Sequence, residues 1–366
     1  MGRLFCLILL CNASLFAYED YGNECYPRST FLSRPAFANE PREEGYNAPA
    51  RFDVRRCFGI FLWGSYLYWQ PRQDGMEVGF TQTITGSFSN FTENNSILNL
   101  DWKYRSGFKV GLGFHTSLDD WDMSAEYTWF HMNHRNSFRH TPIFAKWFPL
   151  NSTPDFISTD FDNEFSSLDT DWKLHLDMGD VEVTRASYVG TNFVLRPHLG
   201  GRILWLKQHY IQSGPNLSTF FDGTTITMDA RSRWFAGGPR IGVEANFIFG
   251  GRNLRFFGNA NAALLYGRYH VNYASPIIPP NPIGGATNLT LKNRVSAVRA
   301  NADIGAGFAL GFYVGHHNFH IDLLASYDFQ IFWNQNMMAD LVFNINEPNI
   351  GNLYIQGLTG TLRLDF

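Results

Sequence analysis

Apolar and polar positions alternate with a period of two along the chain from Phe58 onward. In the segment WDMSAEYTW, which begins at Trp121, apolar side chains occupy every second position, and Asp, Ser, Glu and Thr lie between them. The same alternation recurs from Phe108, from Ala300 and from Phe319. A period of two places successive side chains on opposite faces of a β-strand. The pattern therefore predicts an all-β protein.

The length of these runs and the rhythm of their connections favour a transmembrane antiparallel barrel over a soluble sandwich. Runs of about ten residues can cross a bilayer as tilted strands. Short connections alternate with long ones, which is typical of barrels with short periplasmic turns and long extracellular loops. An even number of strands also leaves both termini on the periplasmic side. We predict about ten strands, with twelve as the alternative, at residues 58–85, 104–116, 121–131, 181–196, 198–212, 232–249, 254–270, 294–314, 319–333 and 351–366.

Two stretches leave alternatives open. The first predicted strand, 58–85, is overlong and contains Pro71 and an Asp-Gly pair at 74–75, so it is either one bulged strand or a hairpin. The longest connection, 132–180, is expected either to fold inward and constrict the barrel or to display a binding surface, because loops of this length are usually functional or disordered. A short turn is expected at 196–198.

The first 57 residues differ from the rest of the chain. Residues 1–17 have one Arg at position 3, an apolar stretch at 4–10 and then small residues, which is the pattern of a secretory signal peptide. Residues 18–57 are rich in Pro, Arg and Glu and show no period, so we expect a poorly ordered periplasmic extension before a barrel at 58–366. Cleavage leaves Cys25 and Cys57, which can pair with each other, pair between chains, or remain free thiols.

Composition excludes two other classes of protein. The mean hydropathy is -0.20 and no run approaches the roughly 20 apolar residues of a transmembrane helix, which argues against a helical membrane protein. The net charge is -4 and no Lys/Arg cluster stands out along the chain, so nucleic acid is not an expected partner.

Several segments between residue 61 and the C-terminus carry a family resemblance. They are FLWGSYLYWQPRQDGMEVGF at 61–80, GFKVGLGFHTSLDDWDMSAEYTWFH at 107–131, LRPHLGGRILWLKQ at 195–208, GPRIGVEANF at 238–247 and YIQGLTGTLRLDF at 354–366. Together they resemble the Legionella-type major outer membrane protein family, which includes pore-forming outer membrane proteins of chlamydia-group bacteria. The resemblance implies an abundant integral outer-membrane porin of a Gram-negative bacterium, with a further role as an adhesin left open. It supplies no catalytic residue.

Charged side chains on the polar strand faces are the candidate pore lining, and they are five basic and five acidic residues: Lys109, Glu126, Arg202, Arg240, Glu244, Arg299, Asp303, Asp322, Asp328 and Arg363. They can line a narrow channel or pair with one another and fill the barrel, because eight strands enclose only side chains whereas sixteen leave an aqueous channel. The expected function is passive diffusion of small hydrophilic solutes through a narrow pore. The alternative is a surface adhesin or structural barrel without significant conductance.

No enzyme, cofactor or metal is expected. The histidines at 131, 134 and 140, and those at 316, 317 and 320, are interpreted as polar loop residues, since their spacing does not converge metal ligands. The last strand ends in an assembly signal of alternating apolar residues: Leu358, Leu362, Leu364 and Phe366. The expected partners are outer-membrane lipid and lipopolysaccharide, the barrel assembly machinery, further copies of the chain through oligomers or disulfides, and host surface ligands.

Overall fold

Ten antiparallel strands close into a barrel in the computed structural model of this protein, and this confirms the predicted architecture. The structure describes residues 59–87, 90–116, 121–147, 164–217, 223, 225–249, 253–277, 287–314, 319–343 and 351–366. The barrel strands are β1 (Ile60–Gln73), β4 (Arg105–His115), β5 (Trp121–Ala145), β6 (Glu164–Arg185), β8 (Phe193–Pro215), β9 (Thr225–Phe249), β10 (Leu254–Ile277), β11 (Thr287–Val314), β12 (Phe319–Phe332) and β13 (Leu353–Asp365).

Closure joins the two ends of the chain. The last strand, β13, pairs with both β12 and β1, and β5 pairs with β6 on the far side of the barrel. Neighbouring strands are otherwise consecutive barrel strands, with β4 between β1 and β5. A closed ring satisfies every ladder hydrogen bond without an edge, which a bilayer requires.

Three further strands and one helix lie outside the ring of ten: β2 (Gly79–Ser87), β3 (Asn90–Leu98), β7 (Tyr188–Val189) and α1 (Met337–Phe343). The predicted strand 58–85 is therefore wrong as one element. It ends at Gln73, turns at Gly75, whose φ is +77°, and continues in β2, which pairs with β3 and with the end of β5. Because β2 and β3 form a pair between β1 and β4 in the chain, they leave the number of barrel strands even.

Two predicted connections are also wrong. Most of 132–180 is strand, since β5 runs to Ala145 and β6 begins at Glu164. The predicted turn 196–198 lies within β8, and the chain reverses instead between β6 and β8, where β7 pairs back onto β8. The parts of β5 and β6 that fall within 132–180 carry polar residues on their outer face. They therefore lack the apolar signal that marks a lipid-facing strand.

Exposed apolar side chains form a belt around the half of the barrel that carries the short turns. The belt includes Leu62, Tyr66, Val110, Leu112, Ile203, Phe235, Ile241, Leu264, Ile304, Phe308, Leu323 and Leu362. Such a lipid-facing band with aromatic residues at its margin is characteristic of outer-membrane barrels. Within the described residues, no helix has both the length and the apolar character to cross a bilayer.

The hydrophobic core lies inside the other half of the barrel, towards the long connections. Its largest fully buried members include Trp69, Phe130, Trp147, Trp172, Tyr210, Tyr269 and Phe332. Trp234 and Tyr269 stack on each other inside the barrel, with ring centroids 5.0 Å apart, although their positions near the ends of the predicted strands 232–249 and 254–270 suggest an interfacial girdle. Strand parity decides this, because the adjacent residue Phe235 takes the outward face.

Candidate functional site: the barrel lumen

The structure places all ten candidate pore-lining residues on inward-facing positions, where they form ion pairs and polar contacts. Lys109 on β4 is an example. Its ammonium group lies 3.4 Å from Glu126 of β5 and also faces Asp303 and Asp328 across the lumen. Glu126 accepts a further hydrogen bond of 2.8 Å from the indole of Trp63. The inward charges therefore act on one another rather than on an open axis.

Arg202 occupies the middle of the lumen and is 2% exposed. Its Nε and Nη2 atoms donate to the two oxygens of Asp180 at 2.7 and 2.8 Å, which is a bidentate pair. Its Nη1 atom donates to Asp303 of β11 at 2.9 Å and also to Asn301. Because β9 and β10 lie between β8 and β11 in the wall, this contact crosses the barrel interior.

Asp303 is also contacted by side chains of β9 and β10. Arg240 on β9 lies 3.3 Å from Asp303 and also pairs with Glu182 of β6. Asn261 donates to the same carboxylate at 2.6 Å. Two arginines and an amide therefore compensate one buried carboxylate, which is the condition under which a charge can remain in a protein interior.

A second polar cluster lies nearer the short turns, and it is centred on Asp365 of the last strand. Arg363 donates to Asp365 at 2.6 Å, His320 lies 3.3 Å from it, and His115 lies 3.9 Å from it. His115 also contacts Asp122 at 2.6 Å. The described residues here add two further ion pairs, Arg196 with Asp122 and Arg255 with Asp322.

The remaining candidates take less central places. Glu244 accepts a hydrogen bond of 2.8 Å from Asn246. Asp328 accepts from Ser326 at 3.0 Å and from Thr359 at 2.5 Å. Arg299 lies higher in the lumen, where its guanidinium contacts the Met337 sulfur at 3.3 Å.

Glycines on the inner wall accommodate bulky neighbours instead of opening a channel. A Cβ atom added at Gly111 would overlap the indole of Trp63, and one added at Gly113 would overlap the ring of Phe61. The Gly-rich inner faces thus let aromatic and charged side chains pack close to the wall.

Helix α1 covers the lumen at the end with the long connections. Asn336 precedes the helix, and its Oδ1 atom accepts the Ala339 N–H at 3.1 Å, which is an N-cap. The amide of Asn336 also donates to the Asp74 carbonyl at 2.9 Å, which ties the helix to the end of β1. Gln335 accepts from the buried Tyr269 hydroxyl at 3.0 Å. These contacts hold Met337 and Met338 against the apolar core.

The candidate pore lining contains both members of some ion pairs, such as Lys109 with Glu126, but only one member of others. The members it omits include Asp180, Glu182 and Asp365. The alternation itself places these residues on inward faces once the strand limits are known. Asp180 lies directly opposite Arg202, and Asp365 lies directly opposite His320, so these pairs become evident only once the strand register is known.

The C-terminal assembly residues lie on the outer face of β13. Leu358 and Leu362 are exposed and Leu364 is partly exposed. The Phe366 backbone N–H donates to the Ile60 carbonyl at 2.9 Å, and its ring packs edge-on against Phe319 at 5.9 Å. The terminal residue therefore sits at the seam where the barrel closes.

Several expectations lie wholly or partly outside the described residues. They include the signal peptide at 1–17, the extension at 18–57, Cys25 and Cys57, and the histidines at 316 and 317. The other histidines of those two groups lie in β5 and β12 rather than in loops. Across the described segments, no group of three or more His, Cys, Asp or Glu side chains could hold a metal ion.

Comparison with solved structures identifies other barrels. The outer membrane protease OmpT from Escherichia coli matches with 10% identity, a TM-score of 0.41, and coverage of 84% of this chain and 96% of that one. A TodX deltaS2S3 mutant, described as a monoaromatic hydrocarbon channel, matches with 10% identity, a TM-score of 0.32, and coverage of 84% and 89%. A Pseudomonas aeruginosa FadL homologue has 8% identity, a TM-score of 0.25, and coverage of 84% and 89%. No curated protein matches the sequence.

The family comparison covers the whole barrel. The family described as Legionella pneumophila major outer membrane protein precursor matches residues 62–366. This range runs from the start of β1 to the terminal residue and includes both lumen clusters. The chain therefore belongs to the Legionella major outer membrane protein family and is an integral protein of the bacterial outer membrane.

Proposed function

We propose that this barrel is closed along its axis and serves as a structural and surface-exposed outer-membrane protein without significant conductance. The observation that carries the proposal is the position of Arg202, which bridges Asp180 and Asp303 in the middle of the lumen. Apolar core residues and helix α1 lie on one side of this bridge, and the Asp365 cluster lies on the other.

A solute would have to pass both the Arg202 ion pairs and the apolar core. Moving an ion past Arg202 breaks a bidentate pair at 2.7 and 2.8 Å, and leaving a buried charge without its partner costs about 3 to 5 kcal/mol. The same solute would then meet the fully buried rings of Trp69 and Trp172. Ten strands give a lumen narrow enough for such side chains to fill.

Passive diffusion of small hydrophilic solutes is the second candidate, and one observation favours it. Several buried inward atoms have no hydrogen-bond partner among the described residues, including Gln208 Oε1, Gln330 Oε1 and the Tyr210 hydroxyl. Buried polar atoms of this kind are usually satisfied by water. A hydrated route beside the ion pairs would support a small conductance.

Planar bilayers distinguish the two candidates. Wild-type protein whose folding is verified by heat-modifiable mobility is expected to remain silent. The variant Asp180→Ala/Arg202→Ala/Asp303→Ala tests the mid-lumen barrier alone, because it empties that crossing while removing both signs of charge and leaves the apolar core and α1 in place. Discrete conductance steps in wild-type protein would overturn the closed-barrel proposal and support diffusion. If wild-type protein remains silent, the proposal stands, and conductance in the triple variant would assign the closure to the Arg202 crossing.

The proposal includes no catalytic activity. The side-chain hydrogen bonds of His115, His131, His198 and His209 go to Asp, Asn or Arg residues. Among the described residues, none of these four histidines has a side-chain hydrogen bond to a Ser, Thr or Cys that it could activate as a nucleophile. The proposed partners are outer-membrane lipid, lipopolysaccharide, the barrel assembly machinery, further copies of the chain and ligands at the cell surface.

A further inference from the structure

Basic residues form a row across the outside of the barrel wall. The register aligns one outward residue from each of six neighbouring strands, β5, β6, β8, β9, β10 and β11. The row reads His131, His175, Lys207, Arg233, His270 and Arg294. These residues are far apart in the sequence, and only strand pairing brings them together.

The row lies directly beyond the margin of the apolar belt. One row closer to the short turns, the outward residues include Trp205 and Phe235, and the next row includes Ile203 and Tyr266. On β10 the belt extends from Leu254 to Tyr266, which is about 40 Å along the strand and about 30 Å along the membrane normal at a tilt of about 40°. The basic row therefore lies at the level of the lipid head groups.

Part of the row is not neutralised by acidic side chains. We define the cationic patch as Lys207, Arg233, Arg268, His270 and Arg294, and in the described part of the chain none of them forms an ion pair. Basic residues that flank the patch differ, because acidic side chains contact them. The described pairs are His131 with Asp177, Arg231 with Asp229, and Lys173 with Asp171.

The patch places two cations directly opposite each other, because Lys207 faces Arg233 across one strand pair. The imidazole of His270 lies between Arg233 and Arg294. Like charges at directly opposed positions destabilise a sheet. An anion bound across the patch would offset this repulsion.

A groove of about 500 Å³ joins the patch to the belt. Lys207, Arg233 and Arg268 line it on the polar side, and Trp205, Phe235 and Tyr266 line it on the apolar side.

Below Phe235 on the same face lies Gly237, where an added Cβ would meet only the Arg202 carbonyl at 3.6 Å and the Ile203 side chain at 3.9 Å. Gly237 therefore leaves an open notch in the lipid-facing wall below the groove. Together the groove and the notch offer cations to a head group and an apolar track to an acyl chain.

From this geometry we infer that the cationic patch binds the phosphate groups of an outer-leaflet glycolipid, that is, lipopolysaccharide. The patch belongs to the end with the long connections, which faces the cell surface in outer-membrane barrels. Its three spacings between β8 and β11 span about 14 Å, which allows several cations to contact one phosphorylated head group. The site is on the outer wall, so it does not depend on whether the lumen conducts.

The test uses purified full-length protein and bis-phosphorylated lipid A, with dephosphorylated lipid A of the same acyl composition as the comparison. Binding is measured by native mass spectrometry in detergent. We expect wild-type protein to bind the phosphorylated lipid at least tenfold more tightly. The variant Lys207→Gln/Arg233→Gln/Arg268→Gln should lose that preference, and Gly237→Leu should weaken binding by filling the acyl track.

A matched control removes three other exposed cations through Lys103→Gln/Arg135→Gln/Arg139→Gln, each of which is already paired with an aspartate. It should bind within twofold of wild-type protein. Heat-modifiable mobility verifies that every variant is folded. If the control variant loses as much binding of phosphorylated lipid A as the patch variant, the effect is one of general charge and the proposed site is overturned. Unchanged binding by the patch variant, or full competition by inorganic phosphate at millimolar concentration, would also overturn it.

Discussion

Replacing Arg202 with Met tests the energetic role of the lumen network. Met retains much of the apolar stem but removes the guanidinium that bonds to Asp180 at 2.7 and 2.8 Å and to Asp303 at 2.9 Å. Removing one partner of a buried ion pair costs about 3 to 5 kcal/mol, because a charge is left uncompensated. Arg202→Met should therefore lower the free energy of unfolding substantially.

The structure places the expected value at the low end of that range. Asp303 retains Arg240 at 3.3 Å and Asn261 at 2.6 Å when Arg202 is lost. In contrast, both side-chain hydrogen bonds shown for Asp180 come from Arg202, so the cost arises mainly there. We expect a loss of about 3 kcal/mol. With a urea m-value of about 3 kcal/mol/M, the unfolding midpoint should fall by about 1 M.

The assay is urea unfolding of the reconstituted barrel, followed by tryptophan fluorescence. The double variant Arg202→Met/Asp180→Asn removes the uncompensated charge and should recover at least half of the loss. Arg135→Met removes an exposed pair with Asp171 on the outer wall and should cost less than about 1 kcal/mol. A loss below about 1 kcal/mol for Arg202→Met, or no recovery in the double variant, would refute the reasoning.

Three further predictions concern the two ends of the barrel. Asn336→Ala removes both the N-cap of α1 and the donor to the Asp74 carbonyl, and it should destabilise the helix by about 1 kcal/mol or more, seen as faster proteolysis at the long-connection end. Asn336→Asp keeps the cap acceptor and loses only that donor, so its cleavage rate should be intermediate; equal rates for Asn336→Ala and wild-type protein would contradict this. Burial acts to raise the pKa of Glu77, but the Lys146 ammonium at 2.6 Å outweighs it and holds that pKa below its usual value. The stabilisation from this pair should be present above about pH 4.3 and be lost as the pH falls through the lower pKa of the folded state. The loss should be less than about 1 kcal/mol, and the variant Glu77→Gln should not show it. If Glu77→Gln and wild-type protein lose stability identically at acid pH, the assignment is contradicted. Deleting Phe366 should lower the heat-modifiable folded fraction in the outer membrane while leaving export intact, and Phe366→Tyr should fold normally; equal folded yields after deletion would show that closure does not need this residue.

The alternation of residues predicts several of the lipid-facing strands, although it places the turn between β6 and β8 at 196–198 instead of between Arg185 and Phe193. Segments such as 104–116 and 319–333 match β4 and β12 within one residue at each end. Lipid imposes an apolar outer face, and the inner face of the same segments is polar, so the period of two is unmistakable there. The inward positions of Lys109 and Asp303 follow from the same parity.

The strand halves beyond the belt could not be predicted in this way. On β5 and β6 the outward residues after Trp129 are polar, and the inward ones become apolar around the core inside the barrel. The apolar face therefore changes sides along one strand. A pattern that assumes a single lipid-facing side interprets this region as a loop, as happened for 132–180.

Only the tertiary structure decided which charges meet. Arg202 and Asp303 lie on strands separated by two others, and the row from His131 to Arg294 needs the register of six strands at once. No Lys/Arg cluster is evident along the chain, yet pairing creates a continuous basic row. Side-chain direction is a local property of a strand, and the sequence determines it. Register and closure depend on hydrogen bonds between distant segments, and these set the contents of the lumen and the charge of the outer wall.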